Sequence, residues 1–269
     1  MTRSTLLAAA LTAAAFSQAA HAQGVAGAEE LAKQLSNPVA SLISVPFQYN
    51  YNDGFGLDGD GHQSYVNIQP VIPFSISPNW NVISRTIVPV VWQDGVVPDE
   101  GSQFGLGNTT QSFFFSPKEP TDFGLIWGVG PAFQVPTATD GIAANQWGAG
   151  VTGVALRQSG GWTYGALANH IWSVTGNSRD GDLSATFLQP FLSYTTAKAT
   201  SFTVNSESTY DWENDQWAVP INVMVAQMFK PGNQPLQLQV GARYWAESPD
   251  YGPDGWGARA ALILLFPKG

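Results

Sequence analysis

From residue 42 to residue 266 apolar and polar positions alternate in stretches of roughly ten to fourteen residues, separated by clusters of Gly, Pro, Asn and Asp. A period of two marks a strand with unlike faces, because successive side chains leave a pleated backbone on opposite sides. Phe47, Tyr49 and Tyr51 alternate with Gln48, Asn50 and Asn52, and Leu236 and Leu238 with Gln237 and Gln239. Twelve such segments fall near 42–51, 64–74, 80–92, 105–115, 123–136, 146–157, 162–174, 183–194, 200–210, 216–229, 235–246 and 256–266. Their connections alternate between short (75–79, 158–161, 230–233) and long (52–63, 93–104, 247–255). This pattern predicts an all-β fold, a twelve-stranded antiparallel transmembrane β-barrel over 42–269. Residues 23–41 read differently. Leu31 and Leu35 lie four apart among Glu29, Glu30 and Lys33, which predicts a short amphipathic helix stopped at Asn37-Pro38. Both a periplasmic stub and a plug of the barrel fit this segment.

Alternation alone does not separate a soluble sandwich from a barrel in lipid; the aromatic residues do. Trp80 and Trp92 share one face of the third segment. At about 3.3 Å per residue and a tilt near 45° they stand roughly 28 Å apart, the height of a lipid-facing band. Trp256 and Phe266 flank the last segment in the same way around Ala258, Ala260, Leu262 and Leu264, so these four residues are expected in an aromatic girdle. Several prolines (Pro70, Pro73, Pro89, Pro131, Pro190 and Pro220) interrupt the segments and predict kinks or bulges.

Residues 1–22 have the charged start (Arg3), apolar run and Ala-His-Ala end of a cleaved signal peptide, which places the mature chain beyond the cytoplasm. No later stretch reaches the about eighteen apolar residues of a membrane helix. There is no cysteine to staple the fold. Charged residues make up only 12% of the chain, about half the globular norm, which suits a surface facing lipid. The net charge of −9 excludes nucleic acid as a natural partner.

The charges are also sorted by connection. The long ones carry most of the acids, among them Asp53, Asp58, Asp60, Asp94, Asp99, Glu100, Asp180, Asp182, Glu213, Asp215, Glu247, Asp250 and Asp254, against Arg179 alone among the cations. The short ones hold Lys118, Arg157, Lys198 and Lys230. One rim is therefore acidic and the other basic. Outer-membrane lipids, lipopolysaccharide and the barrel-assembly machinery are the expected partners, and the Gram-negative outer membrane the expected address.

Asn37-Pro38 with 42–48 (LISVPFQ), 67–74 (NIQPVIPF), 83–90 (ISRTIVPV), 105–108 (GLGN) and 164–173 (YGALANHIWS) follow one another in an order that is familiar. Together they resemble the family of outer-membrane transporters linked to the meta-cleavage pathway of phenol degradation, some members of which carry the label neuromedin U. The resemblance spans nearly the whole mature chain. It implies an outer-membrane barrel that moves small molecules, and it implies no catalytic residue. One departure is the C-terminus, where Phe266 is followed by Pro267-Lys268-Gly269 rather than ending the chain.

Four constellations carry candidate chemistry. Arg85, Glu207, Arg243, Arg259 and Glu247 fall on the inward face, since a charge at mid-depth in lipid costs about 2–4 kcal/mol. If Leu236 pairs with Phe266, Arg243 lies directly across from Arg259, and the repulsion calls for an acid, water or an anion between them. This set is the candidate selectivity site. His62 and Ser64, two apart on one face, could act as base and nucleophile of a lipid hydrolase; a loop edge is the plainer reading. His170 and Ser173 face opposite sides, which leaves His170 an interfacial group. Asp53, Asp58 and Asp60 among glycines could hold calcium but lack the full loop pattern. No cofactor motif occurs. The expected function is passive or facilitated uptake of small, hydrophobic or aromatic solutes, without enzyme activity. A lipid hydrolase and a non-transporting structural barrel are the alternatives.

Overall fold

A computed structural model describes residues 27–97, 101–174 and 182–267. Residues 1–22, where a signal peptide is expected, and the loop residues Asp99, Glu100, Arg179 and Asp180 lie outside the described residues. Twelve strands follow a short helix. They are β1 (Ile43–Phe55), β2 (Gly61–Ile68, resuming as Val71–Ser75), β3 (Trp80–Asp94), β4 (Gln103–Leu106, resuming as Thr109–Pro117), β5 (Leu125–Val135) and β6 (Gly148–Ser159). The second half comprises β7 (Trp162–Ser173), β8 (Ser184–Thr195), β9 (Thr200–Ser206, resuming as Ser208–Asp211), β10 (Gln216–Phe229), β11 (Leu236–Glu247) and β12 (Gly255–Phe266). Each strand pairs antiparallel with the next in sequence. β1 closes the ring on β12, from Ile43 opposite Phe266 to Tyr51 opposite Ala258. Closure leaves no edge strand with unpaired backbone groups, the one arrangement by which strands can sit in hydrocarbon.

The three interrupted strands share a cause. A proline gives its neighbour no amide hydrogen, so the ladder fails opposite it. Gln69 lies opposite Pro46, and Gly107 and Glu207 lie beside Pro89 and Pro220. In each case the residue at the break donates its own N–H to the proline carbonyl, at 2.9, 2.9 and 3.3 Å. Only the break in β4 changes register: Val90 opposite Leu106 gives way to Ile87 opposite Thr110. The breaks in β4 and β9 thus fall across from prolines, while the break in β2 both faces Pro46 and contains Pro70, as the sequence led one to expect.

The period of two sorts the faces as expected. On β11, Leu238, Val240 and Tyr244 are exposed on the outside, while Gln237 and Arg243 are buried inside. Trp92 stacks near Phe104 and Trp256 near Tyr244 at the long-loop end; Trp80 packs on Trp127 and Trp162 on Tyr194 at the short-turn end. Trp80, Trp92, Trp256 and Phe266 are all outward and solvent-accessible, so two aromatic bands enclose an apolar waist.

The helix spans residues 27–35. Nine residues are too few for a helix to hold alone in water; it forms because its stripe of Ala28, Leu31, Ala32 and Leu35 packs on inward-facing Met228, Ala261, Ile263 and Leu265. After the turn at Asn37-Pro38, Val39 inserts among Ile83, Phe114, Val154, Leu156 and Leu167. Ser41 accepts from Asn81 Nδ2 at 2.7 Å, and the Lys33 carbonyl accepts from Gln158 Nε2 at 2.9 Å. The segment therefore fills the short-turn end of the barrel as a plug. No helix among the described residues is long and apolar enough to cross a membrane.

Candidate functional site

The lumen holds a cluster of charges supplied by four strands and joined by an asparagine from a fifth. Alternation brings Asn50 on β1, Arg85 on β3, Glu207 on β9, Arg243 on β11 and Arg259 on β12 to the inner face. Glu207 takes its place through the break opposite Pro220, where β9 keeps its register on β10. Its Oε1 accepts from Arg259 Nη1 at 2.8 Å, and its Oε2 accepts from Arg259 Nη2 at 2.5 Å and from Arg243 Nη2 at 2.8 Å. One carboxylate thus holds two guanidiniums, one of them bidentate, the strongest geometry such a pair has.

The remaining donors are nearly all used. Arg243 Nε donates to Asn222 Oδ1 at 2.9 Å and its Nη1 to the Tyr65 hydroxyl at 2.7 Å. Arg259 Nε donates to Asn50 Oδ1 at 2.8 Å. Asn222 in turn donates to Asn205 Oδ1 at 2.8 Å. The Arg243 guanidinium also lies 5.5 Å from the Trp245 ring centroid, within cation–π range, while Trp245 Nε1 donates to Asn52 Oδ1 at 3.2 Å. Arg243 and Arg259 are 1% and 3% exposed. Charges this far from water survive only because every one has such a partner.

The expected opposition of Arg243 and Arg259 is corrected. Leu236 pairs with Leu264, two residues from the register assumed, so Arg243 faces Gly257 and Arg259 faces Gly241. A slip of two preserves faces, which is why alternation could not fix it. The two guanidiniums stand diagonally, each across from a residue with no side chain, and Glu207 reaches between them. Glu247 does not join the cluster. It ends β11 exposed, opposite Val219 at the mouth. Arg85 lies on the lumen face too, but its one hydrogen bond runs from Nη2 to Gln69 Oε1 at 3.1 Å.

The cluster divides the lumen. On the long-loop side lies a cavity of about 330 Å³ with Asn52, Tyr65 and Trp245 beside apolar Phe55, Pro89, Val91 and Pro253. On the plug side are cavities of about 220 and 180 Å³ that share Leu35, Pro38, Gln69, Gln189 and Ile263; Glu207 and Arg259 line the larger, Arg85 the smaller. Trp245, Tyr65 and Asn222 were not anticipated as site residues. The signal for Trp245 was present: it sits two residues after Arg243 and so shares its face.

The other candidates are not assembled in the same way. Ser64 Oγ bonds the Tyr49 hydroxyl at 2.9 Å on the outer face, and not His62, whose ring lies 6.3 Å from that of Tyr51. His170 Nδ1 pairs with Thr186 Oγ1 at 2.6 Å, 4.0 Å from the Trp172 ring. Asp53, Asp58 and Asp60 are exposed, and among the described residues no group of three or more His, Asp or Glu is placed to hold a metal ion.

No protein-family model matches the chain, and neither does any curated protein. Among solved structures it is similar to the crystal structure of an outer membrane channel from Pseudomonas putida F1, at 15% identity and TM-score 0.62 over 84% of this chain and 94% of that one. It is more distantly similar to the outer membrane phospholipase A of Escherichia coli (12% identity, TM-score 0.47, 85% of this chain and 100% of that one). What the chain shares with the Pseudomonas channel is the fold: a closed, twelve-stranded antiparallel barrel of the outer-membrane kind.

Proposed function

We propose that the protein is a channel of the Gram-negative outer membrane that lets small, hydrophobic or aromatic solutes pass. The observation that carries this reading is the pair of chambers on either side of one charged partition, inside a closed barrel whose outside is apolar between two aromatic bands. A barrel kept only for structure has no need of internal space. The walls point to the solute class: aromatic and aliphatic side chains (Phe55, Val91, Trp245 above; Leu35, Phe191, Ile263 below) interleave with amides that keep the path wet. The resemblance to the phenol-pathway transporters supports the same class. In this reading the signal peptide at 1–22 exports the chain, the barrel-assembly machinery inserts it, Trp80, Trp92, Trp256 and Phe266 sit at the headgroups, and the acidic loops meet lipopolysaccharide. The Arg–Glu set acts as the filter, because fixed charges in a narrow low-dielectric passage focus their field on whatever passes.

Proteoliposomes test this. Phenol-sized solutes should equilibrate faster across vesicles containing the protein than across protein-free ones, while disaccharides should not. Equal rates with and without protein would leave a non-transporting barrel.

A further inference from the structure

The charges of the filter do not balance. Glu207 is one carboxylate, and Arg259 and Arg243 occupy both of its oxygens. Arg85 is a third cation on the same lumen face, and no carboxylate lies within ion-pair reach of it among the described residues. A guanidinium has five N–H donors; Arg85 uses one, on Gln69 Oε1 at 3.1 Å. The side chain lines the plug-side cavity of about 180 Å³. Gln189 lines that cavity and its larger neighbour, and its side-chain amide makes no hydrogen bond among the described residues. Two unspent donor groups therefore share one small chamber. Its other walls mix amides and a hydroxyl (Gln34, Asn37, Ser44, Gln69) with a hydrocarbon side formed by Leu35 and Pro38 of the plug, Val71 of β2 and Ile263 of β12, with Phe191 in the adjoining space.

We propose that this chamber is a binding site for a small monocarboxylate carrying a hydrocarbon or aromatic body, with Arg85 and Gln189 holding the carboxylate and the plug closing over the body. The inference rests on the channel reading and narrows it. A neutral solute would leave the excess positive charge unanswered. A bare inorganic anion would leave the apolar walls unused. A carboxylate suits the planar fork of Arg85, which can give two parallel hydrogen bonds, and the Gln189 amide can add a third. Uncompensated charge in a confined, poorly hydrated space draws its counterion strongly.

The test compares benzoate with benzyl alcohol, which has the ring without the charge, by ligand-observed NMR on the full chain in detergent. Benzoate should bind, and Arg85→Gln should weaken it about tenfold or more, the scale of a lost charge-assisted hydrogen bond. Arg85→Lys should retain part of the affinity, and benzyl alcohol should be indifferent to both changes. Gln189→Leu, which removes a group with no structural bond, should weaken benzoate severalfold and serves if Arg85→Gln fails to fold. Absence of benzoate binding to the unaltered protein, or equal binding by Arg85→Gln or Gln189→Leu, overturns the proposal. The readout needs no conduction. A protein that binds benzoate but passes no solute keeps the site and loses the channel. One that passes solute but treats benzoate and benzyl alcohol alike loses the site alone.

Discussion

Replacing Glu207 by Gln should be the most damaging single change in the lumen. The carboxylate is shared by two guanidiniums that are almost wholly removed from water. An amide has the same shape but no charge, and its nitrogen would face donors. Removing one partner of a buried ion pair leaves the other uncompensated, at a cost of roughly 3–5 kcal/mol. Here two are stranded at once, against some relief from the lumen water that Glu207 touches. Urea unfolding in lipid vesicles, followed by tryptophan fluorescence, should show a loss of about 3 kcal/mol or more, and the folded form should lose its resistance to unfolding by hot detergent at a lower temperature. The double variant Glu207→Gln/Arg259→Gln should be less unstable than the single one, because it removes one of the two stranded charges as well. Additive losses would mean that the three groups are not coupled.

Deleting residues 27–41 should change conductance more than stability. The segment floors both plug-side cavities and covers the inward apolar patch of Met228, Ala261, Ile263 and Leu265. Its loss exposes that patch to lumen water, but it also lifts the cost of ordering the segment, about 1–2 kcal/mol per residue for the backbone alone. The two effects oppose each other, and the barrel ladder does not depend on the segment. Planar-bilayer recordings should show single-channel conductance rising severalfold in the truncated protein. An unchanged conductance would place the bottleneck at the Arg–Glu partition.

The barrel was legible because its signal repeats. Twelve segments with a period of two, divided by turn residues, leave few other folds, and inward charges follow from the cost of outward ones. Register was not legible: the β11–β12 connection carries no residue that fixes pairing to better than two positions, so the Arg243–Arg259 opposition was misplaced while both faces were right. The plug was not legible either. Leu31 and Leu35 mark a helix, but only the inner wall it meets says where it docks. Trp245 was missed because the other tryptophans flanking the strands stand at the outer bands. The break at Gln69-Pro70 was legible from Pro70 itself, whereas those at Gly107 and Glu207 lie across from prolines that sequence reading searches only at their own positions.

The account depends on lipid covering the apolar outside, and the absence of native cysteine allows this to be measured residue by residue. Single cysteines at Gln237, Leu238, Gln239 and Val240, each carrying a small fluorophore, can be placed in vesicles containing lipids with a quencher attached at mid-chain. The labels at 238 and 240 should be quenched strongly and those at 237 and 239 weakly. Loss of that alternation, or a folded protein that stays out of the bilayer without detergent, would contradict the account.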